Sequence, residues 1–152
     1  MPWASKHTQK LRSLGRLVEF VDEDGWFQFG PANSWNSKHR MGYEAVVFGF
    51  LCFVWMSVVE GDCPPLFSRQ CMTALGMDIS CSRHAIQTDV LEASPESVTI
   101  AGNGHYIMDV VDFGDLPLVS EIDQTSSIIR SEHGLVVFPY RRGSQGRPRV
   151  RV

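Results

Sequence analysis

The sequence predicts a single α+β domain built mostly of antiparallel sheet, and three observations carry that prediction. Residues 42–61 are the most apolar stretch of the 152-residue chain and are dense in β-branched and aromatic side chains. Short alternating stretches around them are separated by Asp-Gly, Ser-Pro and Gly-Asn-Gly signals, the punctuation of hairpins and meanders. Only 63–76 and 120–133 carry helical spacing with a stop signal, so the order is strand pairs mixed with two helices and not alternating βαβ units.

The 42–61 run is the expected centre of the fold. It holds no charge between Glu44 and Glu60, and burying half of its large side chains at ~1.5–3 kcal/mol each makes it the main stabilising element. A transmembrane helix needs about 20 apolar residues and favours flanking Lys or Arg, whereas this uncharged span is shorter and is bounded by glutamates. A soluble helix apolar on every side needs a larger core than this length readily supplies. Val46, Val47, Phe48, Phe50, Phe53, Val54, Trp55, Val58 and Val59 favour an extended segment buried on both faces and bent at Gly49.

In chain order, residues 1–15 read as a mobile arm or short frayed helix, with Trp3, Leu11 and Leu14 as its anchors. Residues 17–29 read as a hairpin turning at Asp22-Glu23-Asp24-Gly25, with Val18 and Phe20 facing Phe27 and Phe29. Residues 30–38 are a loop by composition, with Trp35 buried or meeting a partner. Asp62 is expected to cap a helix whose first turn takes Pro64 and Pro65 and whose inner face carries Phe67, Cys71, Ala74 and Leu75, with Gly76 as the stop. Alternation at Ile86, Thr88 and Val90, again at Val98 and Ile100, and through 105–113 predicts a three-stranded meander. A capped amphipathic helix with Ile122, Thr125 and Ile129 inward is expected over 120–133, then a last strand over 135–138 with Pro139 at its edge or end.

Charge is distributed unevenly. Residues 1–16 hold Lys6, Lys10, Arg12 and Arg16, and residues 141–152 hold Arg141, Arg142, Arg147, Arg149 and Arg151, with no acid in either segment, so the ends carry +9. All 17 acids fall within 17–140 beside five basic residues, giving that body −12. The expected organisation is thus a basic arm over 1–16, an acidic globular domain over 17–140 and an Arg-rich tail over 141–152. Flexible basic ends of this kind fit a polyanion, either nucleic acid or an anionic lipid surface; folding back onto the acidic body is the competing use of the same charge. In the tail, Arg147, Arg149 and Arg151 recur at every second position around Pro148, a cationic edge if extended, with no aromatics for base stacking.

Catalytic motifs are sparse. Cys63, Cys71, Cys81 and His84 are four zinc-ligand types within a short span, but only Cys81-x-x-His84 has the tight spacing structural zinc sites favour, so buried small cysteines compete with a metal site. Asp112-Phe113-Gly114 matches a kinase tripeptide without the other kinase elements, and Gly102-Asn103-Gly104 lacks the Lys-Ser/Thr of a phosphate cradle. Asp109, Asp112 and Asp115 alternate unfavourably for a shared metal, and no Gly-x-Ser-x-Gly elbow occurs. With no apolar leader at its start, the chain is expected to be intracellular with reduced thiols and without a transmembrane span.

The order of an aromatic-rich strand, a helix and a twisted sheet on a compact body with a basic arm is loosely similar in architecture to small viral matrix proteins. The function expected is a non-enzymatic structural protein that self-associates, with Trp3, Trp35 or Tyr140 as contact residues, and that touches nucleic acid or anionic membrane through its basic ends. The alternative is a small metal- or thiol-dependent enzyme, or a zinc-stabilised accessory protein, using Cys63, Cys71, Cys81 and His84.

Overall fold

The computed structural model describes residues 2–28, 31, 34–59, 67–132 and 134–143. Its elements are α1 (Pro2–Ser13), β1 (Val18–Gln28), β2 (Ser34–Val47), β3 (Phe50–Val59), α2 (Arg69–Ala74), β4 (Met77–Ser80), β5 (Ala85–Thr88), β6 (Glu96–Ser97), β7 (Thr99–Ile100) and β8 (Tyr106–Ile107). A 3-10 turn (Val119–Glu121), β9 (Ile129–Arg130) and β10 (Leu135–Arg141) complete them. The class is α+β, dominated by an antiparallel five-stranded sheet in the order β1-β2-β3-β10-β9.

The apolar run is a hairpin rather than one bent strand. Phe48 and Gly49 take φ of 53° and 78°, and two successive positive φ values make the two-residue turn that matches strand twist. Val47 then faces Phe50, and the β2–β3 ladder continues to Ser37 opposite Val59. Where a turn was expected, at Asp22-Glu23-Asp24-Gly25, β1 runs on through a register shift between Asp22 and Gly25. The bulge absorbs the residues that favour turning, and β2 starts at Ser34, inside the stretch that reads as loop. Trp35 pairs across the ladder with Phe27 and is half-buried.

At the N-terminus, of the two expected forms, arm or short helix, the helix is the one seen, and α1 is packed on the body. Ala4, Thr8 and Leu11 recur at helical spacing and are buried, while Ser5, Lys6, Gln9, Lys10 and Arg12 face water. The helix ends in a Schellman motif: Arg16 N–H donates to the Leu11 carbonyl (2.9 Å), Gly15 N–H donates to that of Arg12 (3.0 Å), and Gly15 supplies a φ of 72°.

Two apolar clusters fill the body. One joins α1 through Ala4 and Leu11 to Met41, Tyr43, Phe53 and Phe138 of the sheet and to Phe113, Leu116 and Val119. The other gathers Val47, Phe50, Cys52 and Val137 with Cys71 and Leu75 of the α2 region and with Ile86 and Leu91. Ser68 caps α2, its hydroxyl accepting from Cys71 N–H at 3.1 Å, and Gly76 stops it as expected; Asp62, Cys63, Pro64 and Pro65 lie outside the described residues.

The expected meander is split between two small sheets, β4-β5-β6 and β7-β8, with Gly102-Asn103-Gly104 in the turn of the second. The helix expected over 120–133 does not form. Asp123 instead accepts from Thr125 N–H (2.9 Å) and the Thr125 hydroxyl (2.6 Å), and Ser126 closes on the Asp123 carbonyl. These short side chains compete with the helical ladder, and Ile129 joins β10 opposite Val137. Those Thr125 hydrogen bonds also hold the Asp123 carboxyl below its usual pKa. Pro139 sits where the β10–β3 register shifts, a place that needs no ladder N–H. Among the described residues no helix is long and apolar enough to cross a membrane.

One packing detail makes stability depend on pH. His7 stacks on Trp3 at 4.5 Å and meets Tyr43 edge-on at 4.7 Å, with its Nε2 buried and unbonded. Burial lowers the His7 pKa below 6.5 and pushes the Tyr43 phenol up to about 12. Since neutral His7 is favoured when folded, the unfolded chain takes up its proton first as pH falls through 6.5. Stability contributed by His7 is therefore complete above that value, declines below it, and levels off once the folded-state pKa is passed. Urea midpoints should fall between about pH 7.5 and pH 5.5, and His7→Phe should flatten that part of the profile; an unchanged slope in the variant would place the proton elsewhere.

Candidate polyanion and assembly interface

The residues expected to bind a polyanion divide into three sets. Lys6, Lys10 and Arg12 are exposed on α1. Lys6 and Lys10, four residues apart, lie on one ridge, and Lys10 and Arg12 sit in the last turn, where cations suit the helix dipole. The helix carries no acid, and none of the three forms an ion pair among the described residues.

Arg16 does not belong with them. It is 8% exposed, and its Nη1 lies 3.1 Å from Oε1 of Glu44, which is fully buried. Its guanidinium also donates to the carbonyls of Pro117 (2.6 Å) and Leu116 (2.8 Å) and lies over the Phe113 ring at 3.9 Å. The Schellman turn aims Arg16 inward, where it ties α1 to the 113–119 segment.

Arg141 and Arg142, at the end of β10, are held by the acidic body. Arg141 donates to the Glu92 carbonyl at 2.9 Å. Arg142 pairs with the Asp112 carboxylate at 3.1 Å and donates to its carbonyl, and Gly143 N–H donates to Asp115 at 2.8 Å. Asp112 of the kinase-like tripeptide thus meets an arginine, and Phe113 is core. Arg147, Arg149 and Arg151 lie outside the described residues.

Of the described cysteines, two lie in the core and one at the surface. Cys52 is buried, its thiol pushed up to about 12 by desolvation, and Cys71 is buried on α2, whereas Cys81 is exposed beside His84 in the β4–β5 turn; Cys63 is outside the described residues. His84 takes a φ of 48°, and its Nδ1 lies 3.2 Å from the Tyr106 hydroxyl. That hydroxyl also donates to the Cys81 carbonyl at 3.4 Å, and its pKa is raised by desolvation and then by the Cys81 side chain. The imidazole is therefore engaged by a phenol. Among the described residues no three His, Cys, Asp or Glu side chains are grouped to hold a metal.

A cavity of about 180 Å³ lies among β1, β3, β10 and the 119–130 segment, lined by Phe53, Trp55, Val136 and Phe138 together with Glu19 and Arg130. It is lined by one acid, one arginine and one amide and by no histidine, cysteine or serine.

The sequence did not single out the surface beside α1. β1 is the outer strand of the large sheet, and nearly every residue of it is exposed or half-exposed. Trp26 is 69% exposed, with Phe20, Val21 and Phe27 also open, while Trp3, Trp35 and Tyr140 are half-buried. Glu19, Asp22, Glu23 and Asp24 make the same strand acidic. The turn expected at Asp-Gly hid this strand by placing its aromatics inside a short hairpin. No protein-family model matches the chain, and no characterised protein or solved structure matches it.

Proposed function

We propose that the protein is a non-catalytic assembly protein that contacts a polyanion, nucleic acid or anionic lipid, without sequence preference. The observation that supports this reading best is α1, an acid-free helix that keeps Lys6, Lys10 and Arg12 exposed on a body of opposite net charge. Cations that avoid nearby acids keep their full field for an external ligand, and phosphate backbones release counterions on binding them. Docking of α1 through Ala4 and Leu11 presents those charges on a rigid element, at a smaller entropic cost than an arm would incur. Arg147, Arg149 and Arg151 add charge to the same end of the function, in the segment that follows the anchored Arg141-Arg142 pair.

The test is a salt titration of binding to RNA, duplex DNA and acidic vesicles by the full chain and by a Lys6→Glu/Lys10→Glu/Arg12→Glu variant. On duplex DNA the slope of log K against log salt should shrink by about 3 in the variant, at roughly 0.9 for each phosphate no longer neutralised. Binding that is equally tight in the variant would remove α1 from the interface, and no binding by the full chain at low salt would remove the polyanion altogether.

A further inference from the structure

We propose that the outer edge of β1 is an acceptor for the Arg-rich C-terminal segment, residues 147–152, of a second copy, which adds to the sheet as a sixth strand. This inference rests on the assembly half of the reading above. An 11-residue strand at the end of a sheet presents a row of backbone donors and acceptors that, among the described residues, have no ladder partner on one side, and such edges bind extended chains. Proteins protect edges with short strands, lysines or covering loops, but β1 is long, has no lysine or arginine, and exposes Trp26, Phe20 and Phe27.

The charge of the edge selects its occupant. Pairing of β1 with the β1 of another copy would set Glu19, Asp22, Glu23 and Asp24 near their own duplicates, an arrangement that like charges oppose. Residues 147–152 offer the complement, Arg-Pro-Arg-Val-Arg-Val, with no acid. In an antiparallel register with Arg151 opposite Glu19, Arg147 falls opposite Glu23, Arg149 lies between the two acids on the same face, and Val150 meets Phe20 on the other. Pro148 then falls opposite Asp22, where the β1–β2 register breaks and one rung of the new ladder is missing. Donor and acceptor are different parts of the chain, so the contact is heterologous and builds chains or rings of copies. A polyanion competes for the same arginines, which couples its binding to assembly.

The test is sedimentation of the full chain at low salt with no polyanion present, so that its failure is separate from failure of the polyanion reading. The wild-type chain should self-associate. Reversal of the edge (Glu19→Lys) and of the tail residue opposite it (Arg151→Glu) should each weaken association by at least ~10-fold, and mixing the two reversed chains should restore it. Val150→Pro, which keeps every charge but removes an N–H of the added strand, should also weaken it. A wild-type chain that stays monomeric, reversed chains that fail to complement on mixing, or a Val150→Pro chain that associates like wild type would each overturn the proposal.

Discussion

Glu44→Ala is expected to cost about 3–5 kcal/mol of folding free energy, the range for removing one partner of a buried ion pair. The Glu44 carboxylate collects three donors: the Arg16 guanidinium, the Leu17 N–H and the Val119 N–H at 2.9 Å. Truncation leaves the Arg16 charge in a site walled by Phe113 and two carbonyls, and leaves two backbone donors without their acceptor. Each orphaned donor alone costs about 1–3 kcal/mol. Because the pair joins the end of α1, β2 and the 113–119 segment, its loss should loosen all three together. Replacing both charges, Arg16→Met with Glu44→Leu, should recover part of the loss, since an apolar pair leaves no buried charge behind. Urea unfolding at an unchanged m-value measures both effects. A loss under about 1 kcal/mol for the single variant is what a water-exposed pair would give, and it would contradict the burial of Glu44.

Much of the fold was legible because local chemistry and packing agree. The apolar run reads as strand from its β-branched and aromatic content, Gly76 ends α2 with a positive φ, and Gly102-Asn103-Gly104 turns between β7 and β8. The misreadings arise where two local signals conflict. Asp24-Gly25 is both a turn signal and a bulge signal, and pairing with β2 on either side of it selects the bulge. Residues 120–133 have helical spacing, but Asp123, Thr125 and Ser126 bond their own backbone, and Ile129 gains more in the sheet. In α1, the lysines that suggested a free arm occupy one face while Ala4, Thr8 and Leu11 carry the other; Gly15 was the sign of a closed helix end. Net charge by segment identified Lys6, Lys10 and Arg12 as surface cations but could not separate them from Arg16, whose role depends on Glu44, 28 residues away. The β1 edge was illegible for a related reason: which strand ends a sheet is settled by long-range pairing.

At the turn of the central hairpin, packing and backbone conformation oppose each other, and substitution at Phe48 separates them. Phe48 is buried in the second cluster yet holds a φ of 53°, a region that costs an L-residue about 1–2 kcal/mol. Deleting a buried phenylalanine costs about 3–5 kcal/mol. Phe48→Ala loses the ring and keeps the backbone cost, so the full loss is expected. Phe48→Gly loses the ring but accepts the positive φ, with an offset of about 0.5–1 kcal/mol for the greater freedom of glycine when unfolded. Packing therefore outweighs the turn: both variants should be strongly destabilised, with Phe48→Gly the milder by up to about 1.5 kcal/mol. Phe50→Ala, on the neighbouring strand residue of the same cluster and 2% exposed, should lose about 3–5 kcal/mol with no such relief. Urea midpoints of the three variants check the order. If Phe48→Gly proves as stable as the wild type, the ring contributes nothing to the core, and the hairpin is held by its turn alone.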